Sequence, residues 1–256
     1  MNLRIILSFI GLLLLACANP CVIDNSPSSA LIDKTQVSLN IARVSRSFVY
    51  IESIIGLSQS ACDDTGNCSD QFISLQSSLG SGMTVSRKGK TYVVTAGHVC
   101  LPQAYDVELA MISYLGSLTN RITGQSYFGN KSEFEILAVD VDRDVCILKA
   151  EVPWISPGLK LAQRMPKRGS KLYMISAPFG IFNPGMALAF DGYLAGFDEA
   201  GDVIVSLPTR PGTSGSAILN KNGEVIGVIH SAYGMMENIG IGTSVDSLHT
   251  LFEAVE

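Results

Sequence analysis

Between Ser45 and the C-terminus the sequence is cut into short apolar runs, each ended by turn-forming residues. Phe48-Val49-Tyr50-Ile51, Thr91-Tyr92-Val93-Val94, Phe134 to Val139, Val145 to Leu148 and Leu172 to Ser176 open the series. Ala187 to Tyr193, Val203 to Leu207, Ala217 to Leu219 and Val225 to Ile229 continue it. Lys88-Gly89, Ala200-Gly201 and Asn222-Gly223 supply the backbone freedom that tight hairpins need. About a dozen such strands over roughly 200 residues argue against βαβ units and predict an all-β barrel or sandwich. A single helix stands out at 246–256. There Leu248, Leu251, Phe252 and Val255 fall at i, i+3, i+4 and i+7, with Ser244 or Asp246 as its cap. Pro153, Pro157 and Pro166 mark 151–167 as a connector between two halves of similar size.

Composition narrows the classes of function. Hydrophobic residues make up 47% of the 256, enough for a sizeable core and too many for wholesale disorder. The net charge of −5 argues against nucleic acid as a partner, since phosphates call for a basic face. Part of the apolar content is an address. Met1 to Arg4 is a short cationic start, Ile5 to Leu15 an apolar run, and Ala16-Cys17-Ala18 a small-residue site, the layout of a signal for export to the cell envelope or beyond. Two cleavage modes stay open. Ala16-x-Ala18 suits an ordinary signal peptidase, whereas Leu14-Leu15-Ala16-Cys17 is similar to a lipobox, which would leave Cys17 acylated and the protein attached to a membrane. Residues 19–43 are polar and rich in turn formers, as a tether would be.

Export also permits disulfides. Cys62 and Cys68 bracket Asp-Asp-Thr-Gly-Asn, a loop readily closed by a bridge. Cys100 and Cys146 either pair or remain two buried thiols, and Cys21 has no obvious partner. Asp63, Asp64, Asn67 and Asp70 lack the spacing of a calcium loop, so no metal or other cofactor is expected.

Three separated segments carry chemistry. His98 ends the run Tyr92 to Val99, Asp144 opens Asp144-Val145-Cys146-Ile147-Leu148, and Ser214 lies in Gly212-Thr213-Ser214-Gly215-Ser216. A serine hydroxyl is a weak nucleophile until a histidine takes its proton, and that histidine needs a carboxylate to fix its tautomer. Glycines beside the serine let backbone N–H groups face a developing oxyanion. Asp140 and Asp142 share a strand face with Asp144 but precede the apolar run that would bury a carboxylate.

In that His…Asp…Ser order the segments resemble the chymotrypsin-fold (trypsin-like) serine peptidases, over about four-fifths of the chain. The similarity is greatest to HtrA/Deg protease domains and bacterial glutamyl endopeptidases. It extends to Val44-Ser45-Arg46-Ser47-Phe48-Val49-Tyr50-Ile51 as a first strand, Gly80-Ser81-Gly82-Met83, and Ala177-Pro178-Phe179-Gly180.

The resemblance implies two six-stranded antiparallel β-barrels with a C-terminal helix. Barrel 1 would occupy about 44–155 and barrel 2 about 168–245, within a peptidase domain spanning 44–256. It implies hydrolysis of peptide bonds in a polypeptide substrate through an acyl-enzyme. Ser214 would be the nucleophile, His98 the base, Asp144 its orienter, and the N–H groups of Gly212 and Ser214 the oxyanion hole. The other reading is a chymotrypsin-fold binding or envelope protein with little turnover.

Three departures matter. Thr213 stands where trypsin-like zymogens carry an aspartate, so the oxyanion turn is expected to form without a cleaved N-terminus. The sequence ends at Glu256 after the helix, so PDZ-dependent capture is not implied. Pro208 lies where trypsin's pocket carboxylate would be, which removes the counter-charge for Lys or Arg.

Thr209 matches a substrate-binding threonine of the glutamyl endopeptidases, and Arg210 either flanks the pocket or is an exposed loop arginine. His230 lies one residue beyond the pocket histidine of those enzymes, a shift that turns a strand side chain to the other face unless a bulge intervenes. It therefore lines the pocket and favours an acidic or Gln side chain, or lies near Asp144 or in the core. Small or aliphatic side chains are the other choice of substrate. His249 is expected to be solvated.

Overall fold

The computed structural model describes residues 39–62, 65–104, 106, 118–151 and 156–255, all within one compact unit, Val37–Glu256. The export signal, Cys17, Cys21 and most of the tether lie outside the described residues, as do Asp63 and Asp64. Among the described residues no helix is long and apolar enough to cross a membrane.

The predicted runs form strands that close into two antiparallel barrels. The first contains β1 (Phe48–Cys62), β2 (Cys68–Arg87), β3 (Lys90–Thr95), β4 (Leu118–Ser126), β5 (Lys131–Asp140) and β6 (Val145–Ala150), in the order β1-β2-β3-β6-β5-β4. The second contains β7 (Lys171–Ser176), β8 (Leu188–Phe197), β9 (Val203–Val205), β10 (Ala217–Leu219), β11 (Val225–Tyr233) and β12 (Met236–Ser244), in the order β10-β11-β12-β9-β8-β7. Strands such as β6, buried at its first four positions, read as continuous apolar runs because both faces are covered. β5 alternates only at its start, where one face meets water.

Among the described residues three short α-helices complete the frame: α1 (Ile41–Ser45), α2 (Gly97–Cys100) and α3 (Val245–Glu253). The sequence leaves 41–43 in the tether and Val44 and Ser45 in the first strand. Instead Asn40 caps a helical turn by accepting from Arg43 N at 3.0 Å, and Leu39 and Val44 are buried. The first strand then runs further than its apolar start. β1 and β2 form a long hairpin whose outer part is polar, and the backbone register sets Cys62 opposite Cys68. Cys68 is disulfide-bonded.

Each barrel has its own core, and a third cluster lies between them. It joins Phe48, Val94 and Ile147 of the first barrel to Ala217 and Val228 of the second, and to Leu248 and Phe252 of α3. The connector takes part as well. Leu159 N donates to Thr84 O at 2.8 Å and Ala162 N to Val225 O at 2.8 Å, so it pairs with a strand of each barrel. His249 is not simply solvated. Its Nε2 lies 2.9 Å from Ala162 O and its Nδ1 3.3 Å from Arg87 Nη1, because the face of α3 that carries it packs against the connector.

Candidate active site

The end of β3 delivers His98 into α2, and the β5–β6 turn delivers Asp144. Asp144 has φ +48°, a left-handed conformation uncommon outside glycine, which aims its carboxylate back at α2 rather than along β6. Oδ1 accepts from the His98 main-chain N–H at 2.8 Å, and Oδ2 lies 2.8 Å from His98 Nδ1. An ionised carboxylate only accepts, so Nδ1 carries the hydrogen and Nε2 is left with its lone pair.

Burial alone would push the Asp144 carboxyl up. Its hydrogen bonds from His98 and the fields of His98 and His230 outweigh that, and hold it below the usual range. Two residues beyond each partner, Cys100 and Cys146 form a fully buried disulfide with Cα atoms 6.4 Å apart, tying the two segments together. Asp140 instead braces the turn itself, where its Oδ1 accepts from Arg143 N at 3.0 Å.

Ser214 comes from the second barrel, in the turn before β10, and is half-buried. The turn docks on the first barrel through Ser81 of β2. Ser81 N donates to Ser214 O at 2.8 Å, Ser81 Oγ donates to Gly212 O at 2.8 Å, and Thr95 Oγ1 donates to Ser81 O at 2.7 Å. A Cβ at Gly215 would collide with Ser81 O and Thr95 Oγ1 and lie 3.0 Å from Ala96 N, so only glycine brings Ser214 this close to the segment carrying His98.

The carbonyls preceding Ser214 are all occupied. Arg210-Pro211-Gly212-Thr213 has the marks of a type II turn, with proline second, Gly212 third at φ +90°, and Thr213 N donating to Arg210 O at 2.9 Å. The Thr213 hydroxyl reinforces it, donating to Arg210 O at 2.8 Å and accepting from Arg210 N at 3.1 Å. Pro211 O accepts from Phe179 N at 2.7 Å. Because C=O and N–H of a trans peptide point in opposite directions, that bond turns the Gly212 N–H away from Phe179. Among the described residues neither Gly212 N–H nor Ser214 N–H has an acceptor. Two free amides beside a serine hydroxyl are suited to an oxyanion.

A cavity of about 570 Å³ opens beside Ser214, lined by Thr209, Arg210, Pro211, Ser231, Ala232 and Glu237 among others. Thr209 and Arg210 thus both border the space beside Ser214. Arg210 is paired with Glu237. His230 does not line this cavity. Its side chain takes the other face of β11, next to Asp144, at a register shift between Ile229 and Ser231. It has a companion that the sequence gives no sign of. Asp202, in the β8–β9 turn, reads there only as a hairpin residue, yet its Oδ2 lies 3.6 Å from His230 Nε2. Among the described residues no group of His, Cys, Asp and Glu could hold a metal ion.

Two six-stranded antiparallel barrels, meeting at a glycine-flanked serine turn, are the architecture of the chymotrypsin-fold serine peptidases. Residues 80–228 match the family described as Trypsin-like peptidase domain, and the chain belongs to that family. Among solved structures it is similar to the serine endoprotease from Yersinia pestis, at TM-score 0.59 and 19% identity. That match covers 83% of this chain and 64% of the other, so this chain spans just under two thirds of that protein's length, and at this identity it speaks to the fold. No curated protein matches the sequence.

Proposed function

We propose that this chain is an exported serine endopeptidase acting through Ser214, His98 and Asp144. The observation that carries the reading is the pairing of an oriented His98–Asp144 dyad with two unengaged amides at a serine turn docked against the same segment. Ser214 Oγ attacks the scissile carbonyl carbon as its proton passes to His98 Nε2. The carbonyl oxygen becomes an anion held by Gly212 N–H and Ser214 N–H. The imidazolium, steadied by Asp144, then protonates the leaving amine, and the C–N bond breaks to leave an acyl-serine. Water, deprotonated by His98, attacks that ester and restores the hydroxyl.

The side chain preceding the scissile bond would enter the cavity beside Ser214. The Arg210–Glu237 pair leaves its rim without net charge, which supports an uncharged side chain there. The N-terminal signal supports export, with Cys17 the point of lipid attachment if the lipobox is used.

The test is covalent labelling by a fluorophosphonate, alongside digestion of a denatured protein. Wild type should label and digest, and Ser214→Ala should do neither. A folded wild-type protein that does not label would instead indicate a binding module.

A further inference from the structure

Two imidazoles, not one, approach Asp144 Oδ2. His98 Nδ1 lies at 2.8 Å and His230 Nδ1 at 3.9 Å. The His230 side chain is only 13% exposed and stands between two carboxylates, with its Nε2 3.6 Å from Asp202 Oδ2. Both distances exceed hydrogen-bond length, and His230 Nε2 and Asp202 Oδ1 are buried without hydrogen-bond partners. The charged and titratable groups around the ring come from three places. Asp144 faces it from the β5–β6 turn, and His98 stands beyond that carboxylate on α2. Asp202 faces it from the β8–β9 turn, with Asp198 acting on that carboxyl and Arg143 Nη1 3.8 Å from Asp202 Oδ1.

Resting on the peptidase reading, we propose that His230 is a positioning residue that acts through Asp144 and sets how fully that carboxylate serves His98. While the His230 ring is neutral, Asp144 directs its charge to the imidazolium that His98 must become. Once protonated, His230 competes for the same oxygen and repels that imidazolium.

The surroundings decide which state prevails. Burial pushes the His230 imidazole below its ordinary value, against the opposing pull of Asp144 and Asp202. Burial likewise pushes the Asp202 carboxyl up. The ring is therefore uncharged at neutral pH, and its proton enters only in acid. Protonation at His98 and at His230 is then coupled through one carboxylate. Activity is lost in acid over two ionisations, and the enzyme shuts down more steeply than a single base would dictate.

Asparagine and glutamine at position 230 keep an amide near the positions of Nδ1 and Nε2 respectively, but neither ionises. The rate of fluorophosphonate labelling would be followed from about pH 4.5 to 8. In wild type its logarithm should fall in acid with a slope approaching two. In His230→Asn and His230→Gln the slope should be about one, so that the variants keep a fraction of plateau rate about tenfold larger at the acid end. Equal slopes would overturn the proposal.

A second measurement needs neither turnover nor a His230 variant. The chain has three histidines, and in Ser214→Ala their ring resonances can be titrated by NMR. The His98 signal should show two steps, one sharing its midpoint with His230. A single His98 step, independent of His230, overturns the proposal. Failure of wild type to label counts against the peptidase reading and leaves this titration to decide the role of His230.

Discussion

Replacing Gly212 by alanine tests the proposed oxyanion role of its turn and whether that turn is pre-set by its contacts. At φ +90° an L-residue is strained, which costs about 1–3 kcal/mol. The added Cβ would also lie 2.6 Å from Ala177 O and 3.1 Å from Phe179 N, well inside ordinary contact. The simplest relief is to turn the Pro211–Gly212 peptide over. That breaks the 2.7 Å bond from Phe179 N to Pro211 O, a further loss of about 1 kcal/mol, and points the N–H of residue 212 away from the reacting carbonyl.

Losing one such donor lowers kcat by about 10² to 10³, equivalent to about 2.7–4 kcal/mol of transition-state stabilisation. Gly212→Ala should therefore melt earlier, by about 2–4 kcal/mol of stability, and label with fluorophosphonate about 10² to 10³ times more slowly. With a protein substrate, kcat should fall while KM stays within a few-fold, because the donor acts on the transition state. A folded variant that labels within threefold of wild type would refute the account of this turn.

Three further outcomes are expected. Changing Cys100 and Cys146 together to alanine reopens a bridge spanning 46 residues, which on chain entropy costs about 4 kcal/mol; denaturant unfolding should show that loss, with labelling slowed as the His98–Asp144 pair loosens. Thr213→Val removes both bonds of the hydroxyl to Arg210 and should cost about 1–3 kcal/mol and slow labelling, whereas Thr213→Ser should restore both. Because the folded pKa of His230 lies below its unfolded value of about 6.5, the unfolded chain binds more protons in mild acid. That contribution to stability is complete above about pH 6.5 and lost as pH falls toward the folded value, so His230→Asn should flatten this part of a melting-temperature profile.

The barrels were largely legible because covered strands demand apolar runs and tight hairpins demand glycine, as at Val145–Leu148 and Asn222-Gly223. The outer β1–β2 hairpin was not, since exposed strand residues such as Ser74 and Gln76 carry no apolar pattern. Nor was α1: a single capped turn is too short to show a period, and only the burial of Leu39 and Val44 reveals why it is held. At the site, His98 and Asp144 could be recognised as a pair because a strand end and a buried strand start fix each of them locally. The face taken by His230 hung on the irregularity between Ile229 and Ser231, which only the pairing of β11 with β12 exposes. Asp202 and Phe179 were hidden for another reason. One acts through a side chain brought in by a distant turn, the other through a main-chain N–H that any residue but proline possesses.

Ser81 belongs to the N-terminal barrel, yet it grips the carbonyls of Ser214 and Gly212 from the C-terminal one. Gly215 N in turn donates to Ile229 O at 2.7 Å, so the same turn waits on a strand made later still. The loop that carries Ser214 is thus a keystone, set only when strands from both ends of the chain have met around it.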